Sequence, residues 1–431
     1  MKKSKNHLQS QFIGIDSIKT MQNQEYIPMI HRFMETYRRL IESTRHLHHR
    51  YIYHRFNIEN RLTGLIGPRG TGKTTLLLQY INEKIENKSQ CIYVSVDHLY
   101  FSTHLLMDFV DDLYEEFGVR YFFLDEIHKY PNWNQEIKNI YDAYPDIKII
   151  FSGSSSMDLI KGTHDLSRRG IIYHMSGMSF REYLLFNGIA DTGSFTLDQI
   201  IEKKEQIQSD LGDIPKLKGH FKQYLGCGYY PYFLEDTKTY HQKIVRVIQK
   251  TIYEDIADFY KLKTENLSSF KRILSYLATT PPGELNKNSI AKHIGLDSKT
   301  IHNYLEMLEE TGMVERISKN RAGSNLLKHT EKIYLDNPDL YHAIISEIGY
   351  ASKTGTIREI FFIKMLKNAG KNVYYSPAGD FEVNKHVFEI GGRSKTGKQI
   401  KHLQDKAYLV KDDILYGSRR EIPLYLFGFL Y

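Results

Sequence analysis

The chain has 431 residues, 41% hydrophobic and 25% charged, which is too long for one ordinary domain and implies two to four units, each able to bury a core. A formal net charge of +7 is a mild excess that permits contact with nucleic acid without requiring it. Two cysteines, Cys91 and Cys227, exclude a disulfide framework, and the sequence contains no zinc-type spacing, signal segment or membrane-length apolar run, so a cytoplasmic setting is expected.

Residues 1–58 read as a polar, helical N-terminal segment, with apolar positions at helical spacing in IPMIHRFMETYRRLIESTRHL. From 59 to 185 short apolar runs alternate with helical patterns. The runs are RLTGLIG, CIYVSVD, YFFLDE, IKIIFSGS and GIIYHMSG, and their alternation predicts an α/β unit with a parallel sheet.

The first run leads into G-x-x-x-x-G-K-T at Gly67–Thr74, with a helical pattern after it. Such a loop lets backbone N–H groups converge on phosphate oxygens at the positive end of a helix. Lys73 would neutralise the β- and γ-phosphates and Thr74 would face Mg2+. The third run ends in Asp125 and Glu126. Asp125 can hold the metal through water and Glu126 can polarise an attacking water, although an acidic pair there could also cap the next helix. The fourth run ends in a small polar cluster, where Ser152 or Ser154 could sense the γ-phosphate. Arg168 and Arg169 precede the fifth; one of them could serve a neighbouring subunit's nucleotide, or both could be solvated at a helix end. Trp133, Ile137, Ile140, Tyr141 and Tyr144 repeat at helical spacing, which marks the single tryptophan as core.

Together, GPRGTGKTTLLLQYI, FFLDEIHKYPNWNQEIKNIYD, IIFSGSSSMDL, DLSRRG and GMSFREYL resemble a group of prokaryotic AAA-type P-loop ATPases of the additional-strand, catalytic-glutamate class, in which a domain of unknown function typically follows. The resemblance implies ATP and Mg2+ as cofactors and a nucleotide site made of Gly67, Pro68, Arg69, Gly70, Thr71, Gly72, Lys73, Thr74, Thr75 and Ser154. It further implies Thr74 and Asp125 toward the metal, and Glu126, Lys73 and Arg169 in catalysis. An arginine acting in trans would make the protein an ATP-dependent homo-oligomer. No substrate carries over.

Residues 186–262 read as a helical subdomain interrupted by the turn-forming GCGYYP. Residues 263–325 resemble a winged helix-turn-helix. Ile290, Ala291 and Ile294 form one inner face, GLDS a turn and cap, and Ile301, Leu305 and Leu308 a second inner face. Lys299, Thr300, His302 and Asn303 point outward, toward DNA or toward a protein partner. Residues 326–431, starting with KIYLDN, read as a mixed α/β unit that resembles the restriction-endonuclease-like fold. Glu359, Asp380, Glu389 and Gln399 stand in the order of its site. Gly391 stands where a working member has lysine, and Lys395 lies in the loop beyond. A degenerate, binding or packing domain is the preferred reading, and a nuclease with a migrated lysine the alternative. For the whole chain the expectation is an ATPase coupled to these C-terminal units; a nucleotide-gated switch without turnover and an ATP-controlled nuclease are the alternatives.

Overall fold

A computed structural model describes residues 29–44, 48–154, 168–282, 287–320 and 331–431. Much of the expected N-terminal helical segment therefore lies outside the described residues; helix α1 spans 29–43.

Five fully parallel strands form the first sheet: β1 (Leu62–Ile66), β2 (Cys91–Ser95), β3 (Tyr121–Asp125), β4 (Lys148–Gly153) and β5 (Gly170–His174), in the order β2-β3-β4-β1-β5. These are the five apolar runs of the sequence. β1 and β4 are almost continuously apolar and buried because helices cover both faces of the sheet. The helices are α2 (Lys73–Lys84), α3 (Leu106–Phe117) and α4 (Trp133–Ala143). Trp133 is core, its ring 5.5 Å from that of Phe151. β4 lies between the strand that leads into the phosphate loop and the strand that ends in the acidic pair, so both motifs emerge at the same sheet edge.

The core changes between Met175 and Met178. Residues Ile30 to Met175 share one apolar cluster, and residues Met178 to Tyr431 share a second, continuous one. The second core gathers α5 (Phe180–Phe186), α6 (Leu197–Glu202), α7 (Lys204–Gly212), α8 (Leu217–Cys227) and α9 (Tyr240–Lys250). α9 continues through a π-helical turn, Thr251–Ile256, into a last helical turn, Ala257–Tyr260. Next come α10 (Thr264–Thr279), α11 (Lys287–Ile294), α12 (Ser298–Glu310) and an antiparallel pair, β6 (Val314–Ser318) with β7 (Glu331–Leu335). Asp297 caps α12 by accepting from the Lys299 and Thr300 amides. Here the structure departs from the sequence reading. KIYLDN, placed at the head of the C-terminal unit, forms β7 and pairs with β6, because its register joins Val314 to Leu335 and Ile317 to Lys332.

After α13 (Pro338–Ile348) and α14 (Thr354–Asn368) comes a mixed sheet. β8 (Tyr374–Tyr375), β9 (Phe381–Val383) and β10 (His386–Gly391) form an antiparallel meander, and β11 (Ala407–Lys411) and β12 (Glu421–Pro423) continue it in parallel. The final apolar run is not a strand. Leu424–Phe429 is buried on all sides in 3-10 turns, with Phe429 5.6 Å from Phe180 and Phe361 5.0 Å from Phe221. Among the described residues, no helix is long and apolar enough to cross a membrane.

A buried ion pair ties the two cores together. Arg50 Nε lies 2.8 Å from Glu182 Oε1, both side chains nearly solvent-free, and the Tyr51 amide donates to the same oxygen at 2.7 Å. Glu182 also completes a capping box with Ser179, whose hydroxyl donates to the Tyr431 carbonyl at 3.0 Å. Removing one partner of such a pair strands the other charge in a medium that cannot solvate it. The Glu182→Ala variant is therefore expected to lose about 3–5 kcal/mol of stability, read as a lowered denaturant midpoint of the full chain; an unchanged midpoint would remove this joint from the account.

Candidate functional site

The site is built where β1 turns into α2. Gly70 and Gly72 take positive φ values of 79° and 95°, which only glycine adopts without strain. Gly72 is the N-cap of α2 and supplies no side chain, so the first-turn amides of the helix are left to a ligand rather than to a capping hydroxyl. Lys73 is buried and donates to the Gly67 and Pro68 carbonyls at 2.9 and 3.0 Å, folded back over its own loop. Burial lowers its pKa, while Glu126 and Asp125 work against that shift.

Asp125 gathers three hydroxyl donors. Its Oδ2 accepts from Thr74 Oγ1 and from Tyr93 Oη, each at 2.6 Å, and its Oδ1 accepts from Ser152 Oγ. These contacts bring Thr74, Asp125 and Ser152 together from three strand ends. A magnesium ion fits this donor set, with Thr74 and Asp125 as its oxygen ligands, directly or through water. Tyr93 was not singled out in the sequence; its signal is only that it lies on the strand beside β3.

Glu126 adopts a left-handed backbone conformation, φ 54°, at the end of β3. Its Oε2 is buried without a hydrogen-bond partner. That oxygen lies 3.4 Å from His128 Nε2 and 3.9 Å from Arg69 Nη1. Ser154 Oγ and His128 Nε2 are 3.1 Å apart. Ser154 thus joins Glu126 across a histidine that the sequence reading passed over. Arg69 is held by Asp255, Nε to Oδ2 at 2.8 Å and Nη2 to Oδ1 at 2.6 Å. Burial would raise the Asp255 pKa, but the hydrogen bonds from Arg69 and His128 and their charges outweigh it and hold the carboxyl well below the usual range. From the second core Tyr232 also reaches the loop, its hydroxyl so close to Gly70 that a Cβ there would sit 2.0 Å from it. Behind the loop, Arg50 donates to the Thr71 carbonyl. Thr75 is half-buried in the first turn of α2.

Arg169 does not join this cluster. It precedes β5, whose Gly170 pairs with Leu62 at the start of β1, so it stands at the opposite sheet edge from the phosphate loop. There it pairs with Asp142 at 3.3 Å. In this position it lies apart from the phosphate loop of its own chain.

In the C-terminal sheet, Asp380 Oδ2 accepts from the Ile390 amide at 2.6 Å. Glu359 accepts from Tyr334 at 2.8 Å, and burial together with the Asp380 charge raises its pKa to about 7. Glu389 is buried, its Oε2 without a partner and its Oε1 3.1 Å from Lys395 Nζ. The Lys395 stem lies across Gly391, where a Cβ would meet its Cγ at 2.5 Å. The missing side chain at 391 is what makes room for the lysine from the loop. Gln399 stays apart, exposed in a turn and not at the start of a helix. Among the described residues, no group of three His, Cys, Asp or Glu side chains is close enough to hold a metal.

On α12, Lys299 and Asn303 are exposed, Thr300 is tied to Asp297 at 2.6 Å and His302 to Glu306 at 3.2 Å.

Two family models match the chain: an AAA domain over residues 59–184 and a domain of unknown function (DUF8612) over residues 218–349. No curated protein matches it. Solved structures that overlap it include AMPPCP-bound DnaA from Aquifex aeolicus, 18% identical over 63% of this chain and 86% of that one, with a TM-score of 0.25. C. elegans PCH-2 is 15% identical over 63% and 68%, with a TM-score of 0.23. The S. cerevisiae Hsp104–ADP complex is 15% identical over 78% and 55%, with a TM-score of 0.27. Likenesses this weak carry no argument, and the assignment rests on the AAA model together with the sheet order and loop geometry. Residues 59–184 of this chain match an AAA domain model and form a five-stranded parallel sheet with a phosphate-loop turn after β1.

Proposed function

We propose that the protein binds and hydrolyses ATP with Mg2+, and that nucleotide state is passed to the C-terminal units. The observation that carries this reading is the meeting of two motifs at one sheet edge: Thr74 Oγ1 lies 2.6 Å from Asp125, and the next residue, Glu126, keeps a buried, unpartnered carboxylate oxygen. A carboxylate oxygen that carries no hydrogen bond is free to accept a proton from a water attacking the γ-phosphate. Lys73 would turn from its loop carbonyls to the β- and γ-phosphates, and a magnesium ion held by Thr74 and Asp125 would supply further positive charge there. The chain's own residues orient the water and hold the phosphates, so little covalent chemistry is asked of them.

The helices α10 to α12 with the β6–β7 pair have the order of a winged helix, and we propose that this module contacts DNA or a protein partner. Lys299 and Asn303 are its exposed polar positions on α12. If phosphate backbone is the target, DNA stimulates ATP turnover and the stimulation fades as salt rises.

A second reading attaches to the C-terminal sheet because Lys395 reaches Glu389. The helix, three-stranded meander and parallel strand follow the order of restriction-endonuclease-like cores, and the lysine supplies the positive charge that Gly391 lacks. Asp380 and Glu389 would hold a divalent cation there, which would supply an activated water for phosphodiester cleavage. The two carboxylates are not joined by a third close ligand, and a domain kept for binding or packing remains the simpler reading.

For the ATPase, Glu126→Gln is expected to retain ATP binding while phosphate release falls at least about 100-fold; unaltered turnover would take the role of base away from Glu126. For the C-terminal sheet, DNA incubated with Mg2+ or Mn2+ distinguishes the readings. Cleavage that Lys395→Ala lowers by about 100-fold supports a working site, and intact single- and double-stranded DNA with either metal assigns the unit to binding or packing.

A further inference from the structure

Only one strong charged contact from the second core reaches into the phosphate loop itself among the described residues, and its geometry is specific. Both oxygens of Asp255 are taken by the Arg69 fork, at 2.8 and 2.6 Å. Such bidentate pairs are among the strongest side-chain contacts and cannot be shared with a second anion at no cost. Asp255 is brought there by the π-helical turn Thr251–Ile256 in the middle of an otherwise α-helical run. A π turn inserts one extra residue into the helical period and re-aims the side chains around it, and such turns are frequent at functional sites. The surrounding charges are mixed. Lys129 Nζ lies 3.4 Å from Glu254 and 3.5 Å from Asp255, His128 Nε2 lies 3.7 Å from Asp255, and Arg69 also lies 3.8 Å from Glu254 and 3.9 Å from Glu126.

A nucleoside triphosphate seated on the loop amides brings its γ-phosphate to the side of the site that Arg69, Glu126, His128 and Ser154 line. Arg69 then faces four anions: Asp255, the more exposed Glu254, Glu126 and the γ-phosphate. The dianionic phosphate group repels the carboxylates and outcompetes each for the guanidinium. A diphosphate leaves that position empty and the pair undisturbed. We propose that the Arg69–Asp255 pair is a γ-phosphate-sensitive latch, in which Asp255 holds Arg69 when no triphosphate is bound and gives it up to the γ-phosphate when one is. In this arrangement Asp255 is a positioning residue and touches no nucleotide. The π turn is the element by which the second core senses the difference between ATP and ADP. This inference rests on the nucleotide site proposed above.

The latch makes a directional demand. Because a triphosphate must break the pair and a diphosphate need not, Asp255 lowers affinity for the triphosphate selectively. By linkage the triphosphate must loosen the π turn by the same factor. The test measures binding of a non-hydrolysable ATP analogue and of ADP, each with Mg2+, to the full chain. Asp255→Asn is expected to raise the ratio of analogue to ADP affinity about tenfold, with ADP affinity unchanged. The comparison Glu254→Gln, which removes a more exposed carboxylate 3.8 Å from Arg69 and outside the fork, shifts the ratio much less than Asp255→Asn does. In the Arg69→Gln background, Asp255→Asn has no further effect on the ratio. Hydrogen exchange of residues 251–256 in the wild type reads the same event without any substitution: faster exchange with the triphosphate analogue than with ADP. Equal shifts of both affinities in Asp255→Asn, or identical protection of the π turn with both nucleotides, would overturn the latch and leave Asp255 a structural anchor. A wild-type chain that takes up neither nucleotide overturns the nucleotide site itself, a result distinct from the first.

Discussion

The 2.6 Å contact between Thr74 and Asp125 is the point from which the rest of the site is built. It exists because β4 is inserted between β1 and β3, so that a loop after one strand and a carboxylate after another end at the same edge, one strand apart. The loop contributes amide hydrogens at the start of a helix; the acidic strand contributes the carboxylates of Asp125 and Glu126, which the proposed function assigns to a metal and a base. Neither half can manage a phosphoryl group alone. The strand order converts two short sequence motifs, 51 residues apart, into one site.

What surrounds that site belongs largely to the other core. Arg50 supports the loop from behind through Thr71 and is itself anchored by Glu182, whose capping box reaches the chain end at Tyr431. Tyr232 stands against Gly70 and Asp255 grips Arg69. Buried charge pairs contribute less to stability than their geometry suggests, because both ions must leave water. Their value here is in specifying one arrangement, since a charge left alone in either core is strongly disfavoured. The phosphate loop thereby touches the second core in two ways, directly through Asp255 and Tyr232 and indirectly through Arg50 and Glu182.

The parts legible in the sequence were those whose cause is local. Five apolar runs became five parallel strands, the inner ones because burial on both faces demands continuous apolar side chains, and Gly67–Thr74 reads as a phosphate loop from its glycines, its Lys73–Thr74 pair and the strand and helix that flank it. Trp133 was legible as core from helical spacing. The partners of the loop were not legible, because 186 residues separate Arg69 from Asp255 and 132 separate Arg50 from Glu182. Asp255 also depends on a π turn, which has no periodic signature. KIYLDN was placed with the wrong sheet, since an apolar alternation shows a strand but not its neighbour. Arg169, read as serving a neighbouring subunit or as solvated at a helix end, pairs within its own chain with Asp142. Lys395 shows the reverse: Gly391 reads as a loss until the lysine stem is seen occupying the space that the glycine leaves.

The account stands on a triphosphate occupying the amide-lined start of α2. Titration calorimetry of Mg–ATP into the folded chain tests this most directly. The account predicts one nucleotide per chain, with uptake abolished by Lys73→Ala while the variant's fold is unchanged. Heat indistinguishable from dilution with the wild-type chain, or equal uptake by Lys73→Ala, would contradict it.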